Sequence, residues 1–201
     1  MKDLWVFEKE ATQKGCKLIA GIDEAGRGPL AGPVVSAAVI LATAFHDPEI
    51  TDSKKLSPKK RERLFNKIYD RAVAVGIGIV DPVEIDRINI LQASLLSMAM
   101  AVKNLDPQPD HLLIDGIFPI SSELSQQPIT KGDALSISIA AASIVAKVSR
   151  DRLMQNYHHY YPQFDFPKHK GYPTRAHREA IRKFGFSPIH RRSFKGVKEY
   201  V

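Results

Sequence analysis

Residues 17–41, KLIAGIDEAGRGPLAGPVVSAAVIL, decide the fold. Residues 17–22 are apolar enough to form a strand, and residues 34–41 are apolar and β-branched enough to form a second. The Gly/Pro-rich stretch between them makes a hairpin-like turn. Strands joined by so short a connection run antiparallel. Working outward, strands alternate with long helical segments, which predicts an α/β domain. Its sheet is therefore expected to be mixed.

Residues 2–15 are charged and weakly helical. Ser57 is a good N-cap and Pro58 a good first helical residue, for a helix running to about Arg71 with Leu64 and Ile68 on one face. Residues 72–80 alternate apolar residues with Gly76 and Gly78, which predicts a buried strand with close neighbours on one side. Asp81-Pro82 breaks that strand, and residues 84–104 read as a long, partly buried helix. Residues 112–114 form a short strand that delivers Asp115-Gly116, and residues 127–130 form another. A helix rich in Ala and Ser is expected over residues 133–160, closed by an aromatic and His cluster and stopped by Pro162. Thr174 caps a last helix, and Gly185 sits at its end. The reading gives one domain, with residues 17–185 as its core and 186–201 as a basic, only partly ordered tail.

The chain has 201 residues, of which 44% are hydrophobic and 25% charged, enough for a sizeable core without staples. Its net charge of +7 suits a polyanionic partner such as nucleic acid, although solubility alone gives the same balance. The lone Cys16 can form neither an intramolecular disulfide nor a thiolate metal site, which favours a reducing cytoplasm. The N-terminus lacks the apolar stretch of a signal peptide, and no apolar run approaches the ~20 residues that span a bilayer. The expectation is a cytoplasmic monomer with no membrane partner.

Asp23 and Glu24 follow the apolar run Leu18-Ile19-Ala20. Carboxylates at the end of a buried strand are costly unless they are paired or bind metal. Adjacent strand residues point to opposite faces, so both reach one site only if the strand ends or twists at Glu24. Gly26 and Gly28 permit that. Asp115 and Asp133 also sit at a strand end and a helix start. Each has a structural alternative: Asp115-Gly116 is a common turn dipeptide, and Asp133 a respectable N-cap. Clustered carboxylates repel one another, and divalent cations relieve that repulsion. All-oxygen ligation suits Mg²⁺ or Mn²⁺, and two such ions about 4 Å apart can drive phosphodiester cleavage.

Basic residues form a second layer. Ser53 and Lys54, in the segment Asp52-Ser53-Lys54-Lys55-Leu56-Ser57, precede a helix whose N-terminus can grip phosphate, or they form a solvated helix start. Tyr172 beside Gly171 can stack on a sugar or base, or pack on the core. His190, Arg191, Arg192 and Lys195 are expected to contact phosphate or to be solvated. The Ser and Ala residues between Ser136 and Ser149 read as core packing.

Five segments in order resemble ribonuclease HII, the type 2 ribonuclease H of bacteria. They are residues 21–29 (GIDEAGRGP), 52–56 (DSKKL), 114–116 (IDG), 131–133 (KGD) with 141–151 (AASIVAKVSRD), and 169–174 (HKGYPT). The resemblance implies a ribonuclease H-like fold: a mixed five-stranded sheet flanked by helices, with a helical C-terminal extension. It implies cleavage of RNA in RNA–DNA hybrids, and incision 5′ of single ribonucleotides in duplex DNA with two Mg²⁺ or Mn²⁺ ions. Asp23, Glu24, Asp115 and Asp133 would then be the catalytic, metal-binding carboxylates. Gly26, Arg27 and Gly28 would sense the ribose 2′-OH, and Tyr172 would pack on the neighbouring deoxyribose. Two rivals stay open: a nuclease of the same fold acting on DNA alone, and a basic binding protein without catalysis.

Overall fold

The two strands at the start of the chain form β1 (Ile19–Ala25) and β2 (Val34–Leu41), and they pair antiparallel with Asp23 opposite Ala37. The structure is a computed structural model that describes residues 3–201 except 44, 46, 48, 51 and 52. Asp52, the first residue of one expected phosphate-gripping segment, therefore lies outside the described residues. Beyond β2 lies β3 (Ala72–Val80), again antiparallel. On the other side of β1 come β4 (His111–Asp115) and β5 (Ser125–Ile129), both parallel. The sheet order is β3-β2-β1-β4-β5, so the mixed five-stranded sheet is confirmed.

Helices cover both faces. They are α1 (Val6–Gln13), α2 (Pro58–Arg71), α3 (Pro82–Lys103), α4 (Ile137–Tyr160), α5 (Phe166–His169) and α6 (Arg175–Phe184). The strand period of two sorts the residues. Ala20 and Ile22 of β1, with Ala38 and Ile40 of β2, pack against Met98, Ala101 and Val102 of α3. Ala37 and Val39 of β2 pack the other way, against α2 and α4. Every residue of β2 is buried, which is why it reads as a continuous apolar run. A second core around Leu30, Met154, Phe164, Phe166, Ile181 and Val197 holds the C-terminal extension to the sheet.

Four expectations are corrected. β1 does not end at Ile22 but runs through both acidic residues to Ala25, because Glu24 and Ala25 still find partners in Ser36 and Val35. α4 starts at Ile137 rather than at Asp133: Ser136 is its N-cap, accepting from the Ile139 N–H at 3.2 Å, while Asp133 sits in a single 3₁₀ turn. The tail is built into the fold, with His190, Arg191 and Val197 buried. Lastly, α3 is long and apolar enough, by length and composition, to cross a membrane. It is interrupted at Asn89 (φ 69), whose side chain re-caps the second part by accepting from Leu91 N and Gln92 N. Its inner face lies on the sheet.

Gly78 sets how closely α3 approaches the sheet, since a Cβ there would lie 1.9 Å from the Ser97 carbonyl oxygen. Gly78→Ala should lower the unfolding free energy by about 2–3 kcal/mol, the usual cost of overpacking. The urea midpoint measures this, and an unchanged midpoint would show that α3 can move away freely.

Candidate active site

Parallel pairing of β1 with β4 sets Ile22 opposite Ile114, so the next residues, Asp23 and Asp115, emerge at the same sheet edge. The strand period then turns Asp23 toward α4 and Glu24 toward α3. The strand need not end at Glu24 for the two to meet. Asp23, Glu24, Gly26, Arg27, Gly28, Ser53, Lys54 and Tyr172 line one cavity of about 210 Å³ with Ser143 and Lys147. Glu24 and Arg27 also line a second cavity of about 200 Å³, which contains Asp115, Gly116 and Phe118. Glu24 thus lies on the wall between the two. Asp133 joins from the turn before α4, 3.5 Å from Lys54 Nζ.

Each carboxylate is oriented. Asp23 accepts from the Glu24 N–H at 2.7 Å and from the Ser143 hydroxyl. Ser53 is buried and bonded to Ser143 at 2.9 Å, so its hydroxyl supports Asp23 through α4. Asp115 accepts from the Gly132 N–H at 2.6 Å, which ties β4 to the turn carrying Asp133. Arg27 lies 3.4 Å from Glu24.

The electrostatics favour a cation. Burial holds the Asp23 carboxyl well above the usual range, and Glu24 and Asp115 push the same way. Burial also raises Glu24; Arg27 opposes this, and Asp115 adds to it. Asp115 is raised by burial and then by Asp133, against the backbone N–H groups that it accepts from. Among the described residues, no group of three acidic, histidine or cysteine side chains already stands at metal-enclosing spacing. The donor set nevertheless fits a hard divalent cation: oxygen only, negative, oriented and short of positive partners.

Gly26 (φ 104) opens the loop, and a Cβ there would lie 2.1 Å from Arg150 Nε. Two buried guanidiniums hold the chain beyond it. Arg150 donates to the carbonyls of Pro33, Lys170 and Ala31 at 3.0–3.1 Å. Arg191 donates to Gly32, Arg27 and Gly26 at 3.0, 2.9 and 2.5 Å. Burial lowers their pKa values to about 10 and about 9, so both stay charged at neutral pH. Tyr172 stands across from the loop, with its ring 3.6 Å from where a Gly28 Cβ would be.

Sequence reasoning missed Ser143, Arg150 and the role of Arg191. The Ala/Ser pattern of α4 marks packing in general and does not single out Ser143. Arg191 was expected to be solvated or on phosphate, yet it is fully buried on loop carbonyls. Behind Tyr172, His169, His177 and His190 form a buried cluster with Phe164 and Phe166. A larger cavity of about 540 Å³ lies by α1 at the opposite end of β1. Among the described residues its one acid, Glu8, is engaged by Ser136 and Ser138 at the start of α4.

Comparison with known proteins converges on one family. A model described as Ribonuclease HII matches residues 20–197. The Ribonuclease HII of Syntrophus aciditrophicus is 60% identical over 189 residues, covering 94% of this chain and 89% of that protein. That of Geobacter sulfurreducens is 55% identical over 198 residues, covering 98% and 91%. The crystal structure of the ribonuclease H2 from Pyrococcus horikoshii OT3 is similar at a TM-score of 0.77 and 30% identity, covering 92% of this chain and 97% of that one.

The histidine cluster makes stability depend on pH. Burial lowers His177 from 6.5 to about 4 and His190 from 6.5 to about 3. Below 6.5 the unfolded chain therefore binds more protons than the folded one. Their contribution is full above 6.5 and is lost as the pH falls toward 4. Urea midpoints should drop between about pH 7 and about pH 5, and drop less in His177→Gln. Equal drops in the two proteins would assign the effect to other groups.

Proposed function

Because the chain belongs to the ribonuclease HII family, whose members cleave RNA in RNA–DNA hybrids, we propose that it also incises duplex DNA 5′ of a single ribonucleotide. The reaction is metal-assisted phosphodiester hydrolysis that leaves 3′-hydroxyl and 5′-phosphate ends. One observation carries the reading: Asp23 and Glu24, the Gly26–Arg27–Gly28 loop and Tyr172 line a single cavity.

Asp23, Glu24, Asp115 and Asp133 would hold two Mg²⁺ or Mn²⁺ ions. Such ions, when bound, help to activate a water and to stabilise the leaving 3′-oxygen. The protein supplies the positioning. Ser143 fixes Asp23, and the Gly132 N–H fixes Asp115, so both are set before substrate arrives. Arg191 takes the Gly26 and Arg27 carbonyls. In trans peptides, the N–H groups of Arg27 and Gly28 then point the opposite way. They offer donors to a ribose 2′-OH, the group that separates RNA from DNA. Arg27, half exposed, can leave Glu24 for the adjacent phosphate. Tyr172, partly exposed beside Gly28, presents a ring to the next sugar, where a deoxyribose lacks the hydroxyl that would crowd it.

A duplex carrying one ribonucleotide, compared with its all-DNA twin in Mg²⁺ or Mn²⁺, tests the reading. Incision should occur only 5′ of the ribonucleotide and stop with a chelator. Asp115→Asn should cut on the order of 100-fold more slowly or worse while still binding the duplex, since even groups that merely support metal ligands cost 10- to 100-fold. Equal cleavage of the twin would favour a DNA nuclease, and binding without scission a non-catalytic protein.

Tyr172→Ala should slow incision at a single ribonucleotide more than cleavage of long hybrids, by about tenfold for a lost sugar stack. Equal losses on both substrates would remove Tyr172 from junction recognition.

A further inference from the structure

We infer that His177 and His190 are positioning residues for Tyr172, forming a hydrogen-bonded relay that fixes its place relative to the Gly26–Gly28 loop. The inference rests on the proposed reading of that cavity. It stands on donor and acceptor geometry that permits one arrangement.

His177 Nδ1 lies 3.0 Å from the Tyr172 carbonyl oxygen. A carbonyl only accepts, so Nδ1 carries the proton and Nε2 is left as an acceptor. His177 Nε2 lies 3.0 Å from His190 Nε2, so His190 must donate there. His190 Nδ1 must then accept, and it does, from the Ser187 N–H at 3.0 Å and the Ser187 hydroxyl at 2.8 Å. Each imidazole thus has one tautomer, and every ring nitrogen is satisfied. Protonating His177 would set two Nε2–H donors against each other, and protonating His190 would set its Nδ1–H against the Ser187 N–H. The relay runs from Ser187 through both rings to the Tyr172 main chain.

A second support holds the same residue. The Tyr172 N–H donates to the His169 carbonyl at 2.8 Å, and His169 Nδ1 accepts from the Gly171 N–H at 3.2 Å. The far end of the relay is equally fixed. His190 pairs with Ala31 in an isolated antiparallel bridge. The Arg191 N–H donates to the Leu30 carbonyl, and Arg191 grips the Gly26 and Arg27 carbonyls. Adjacent residues of one buried dipeptide therefore hold both walls of the cavity. One carries Tyr172 and the other the loop.

A merely structural cluster would weaken action on every substrate alike, whereas a positioning cluster changes the ratio between them. The test measures kcat/KM on a duplex with one ribonucleotide and on a long hybrid. It compares the parent, His190→Gln, Ser187→Ala and each of these combined with Tyr172→Ala. His190→Gln should lower the single-ribonucleotide to hybrid ratio about tenfold, within the range that a displacement of about 1 Å costs. Ser187→Ala should lower it less, because its N–H remains. Neither should lower the ratio further in the Tyr172→Ala background. Folded variants with the parent's ratio, or losses that add to that of Tyr172→Ala, would overturn the relay. If His190→Gln does not fold, Ser187→Ala decides. Two-bond ¹H–¹⁵N spectra of the parent should place the proton on His177 Nδ1 and on His190 Nε2, and any other tautomer overturns the inference independently of activity. A parent that does not incise the single ribonucleotide would overturn the functional reading instead, and the specificity role with it.

Discussion

Parallel pairing of β1 with β4 puts Asp23 and Asp115 at the same end of adjacent strands, and the surrounding structure answers the repulsion that results. Such a cluster stays ionised only with fixed donors and counter-charges. Ser143, Gly132 N–H, Arg27 and Lys54 are those donors and cations. They orient the carboxylates without neutralising them fully, which leaves a charge deficit suited to divalent cations. Repulsion that would be a defect in a structural core is, at this edge, what suits the site to a divalent cation.

The loop after β1 meets the opposite problem. Its carbonyls are buried at the junction between the sheet and the C-terminal extension. An unpaired buried carbonyl costs about 1–3 kcal/mol. Arg150 and Arg191 satisfy five of them, and the Lys170 carbonyl of the extension, with no carboxylate bonded to either among the described residues. Pairing with neutral carbonyls keeps two positive charges beneath the cavity. That charge favours an incoming phosphate, which a salt-bridged arginine would not. Removing either guanidinium would strand three carbonyls at once, so the loop and the extension are held as one body.

Much of the fold was legible because local signals were strong. The bounds of β2, α2 and β3 match the sequence reading, since an apolar β-branched run, a Ser-Pro helix start and an alternating Gly strand are each short-range features. The four carboxylates were legible for a related reason: acids at the ends of apolar strands are conspicuous. Their supports were not. Ser143 lies 90 residues from Ser53, and Arg191 lies 165 residues from Gly26. Nothing local distinguishes a serine that packs from one that orients an aspartate, or a buried arginine from a solvated one. The mistaken start of α4 has a local cause. Asp133 and Ser136 are both good N-caps, and the left-handed Lys131 with the Asp115 bond at Gly132 assigns the cap to Ser136.

The division between the legible and the hidden residues follows the division of labour in the site. Carboxylates at a sheet edge can promote cleavage of any phosphodiester that reaches them, so they set the chemistry and not the choice of substrate. Choosing a ribonucleotide means reading one hydroxyl, and a single hydrogen bond discriminates only if its donor cannot relax toward a substrate that lacks the group. On the proposed reading, rigidity of the loop after β1 is therefore the source of selectivity, and the loop alone has none, because its glycines make it pliable. The C-terminal extension supplies what the loop lacks, through Arg191 on its carbonyls and the histidine pair behind Tyr172. On the proposed reading, a strand end supplies the reaction, and a segment more than 160 residues away in sequence supplies its discrimination.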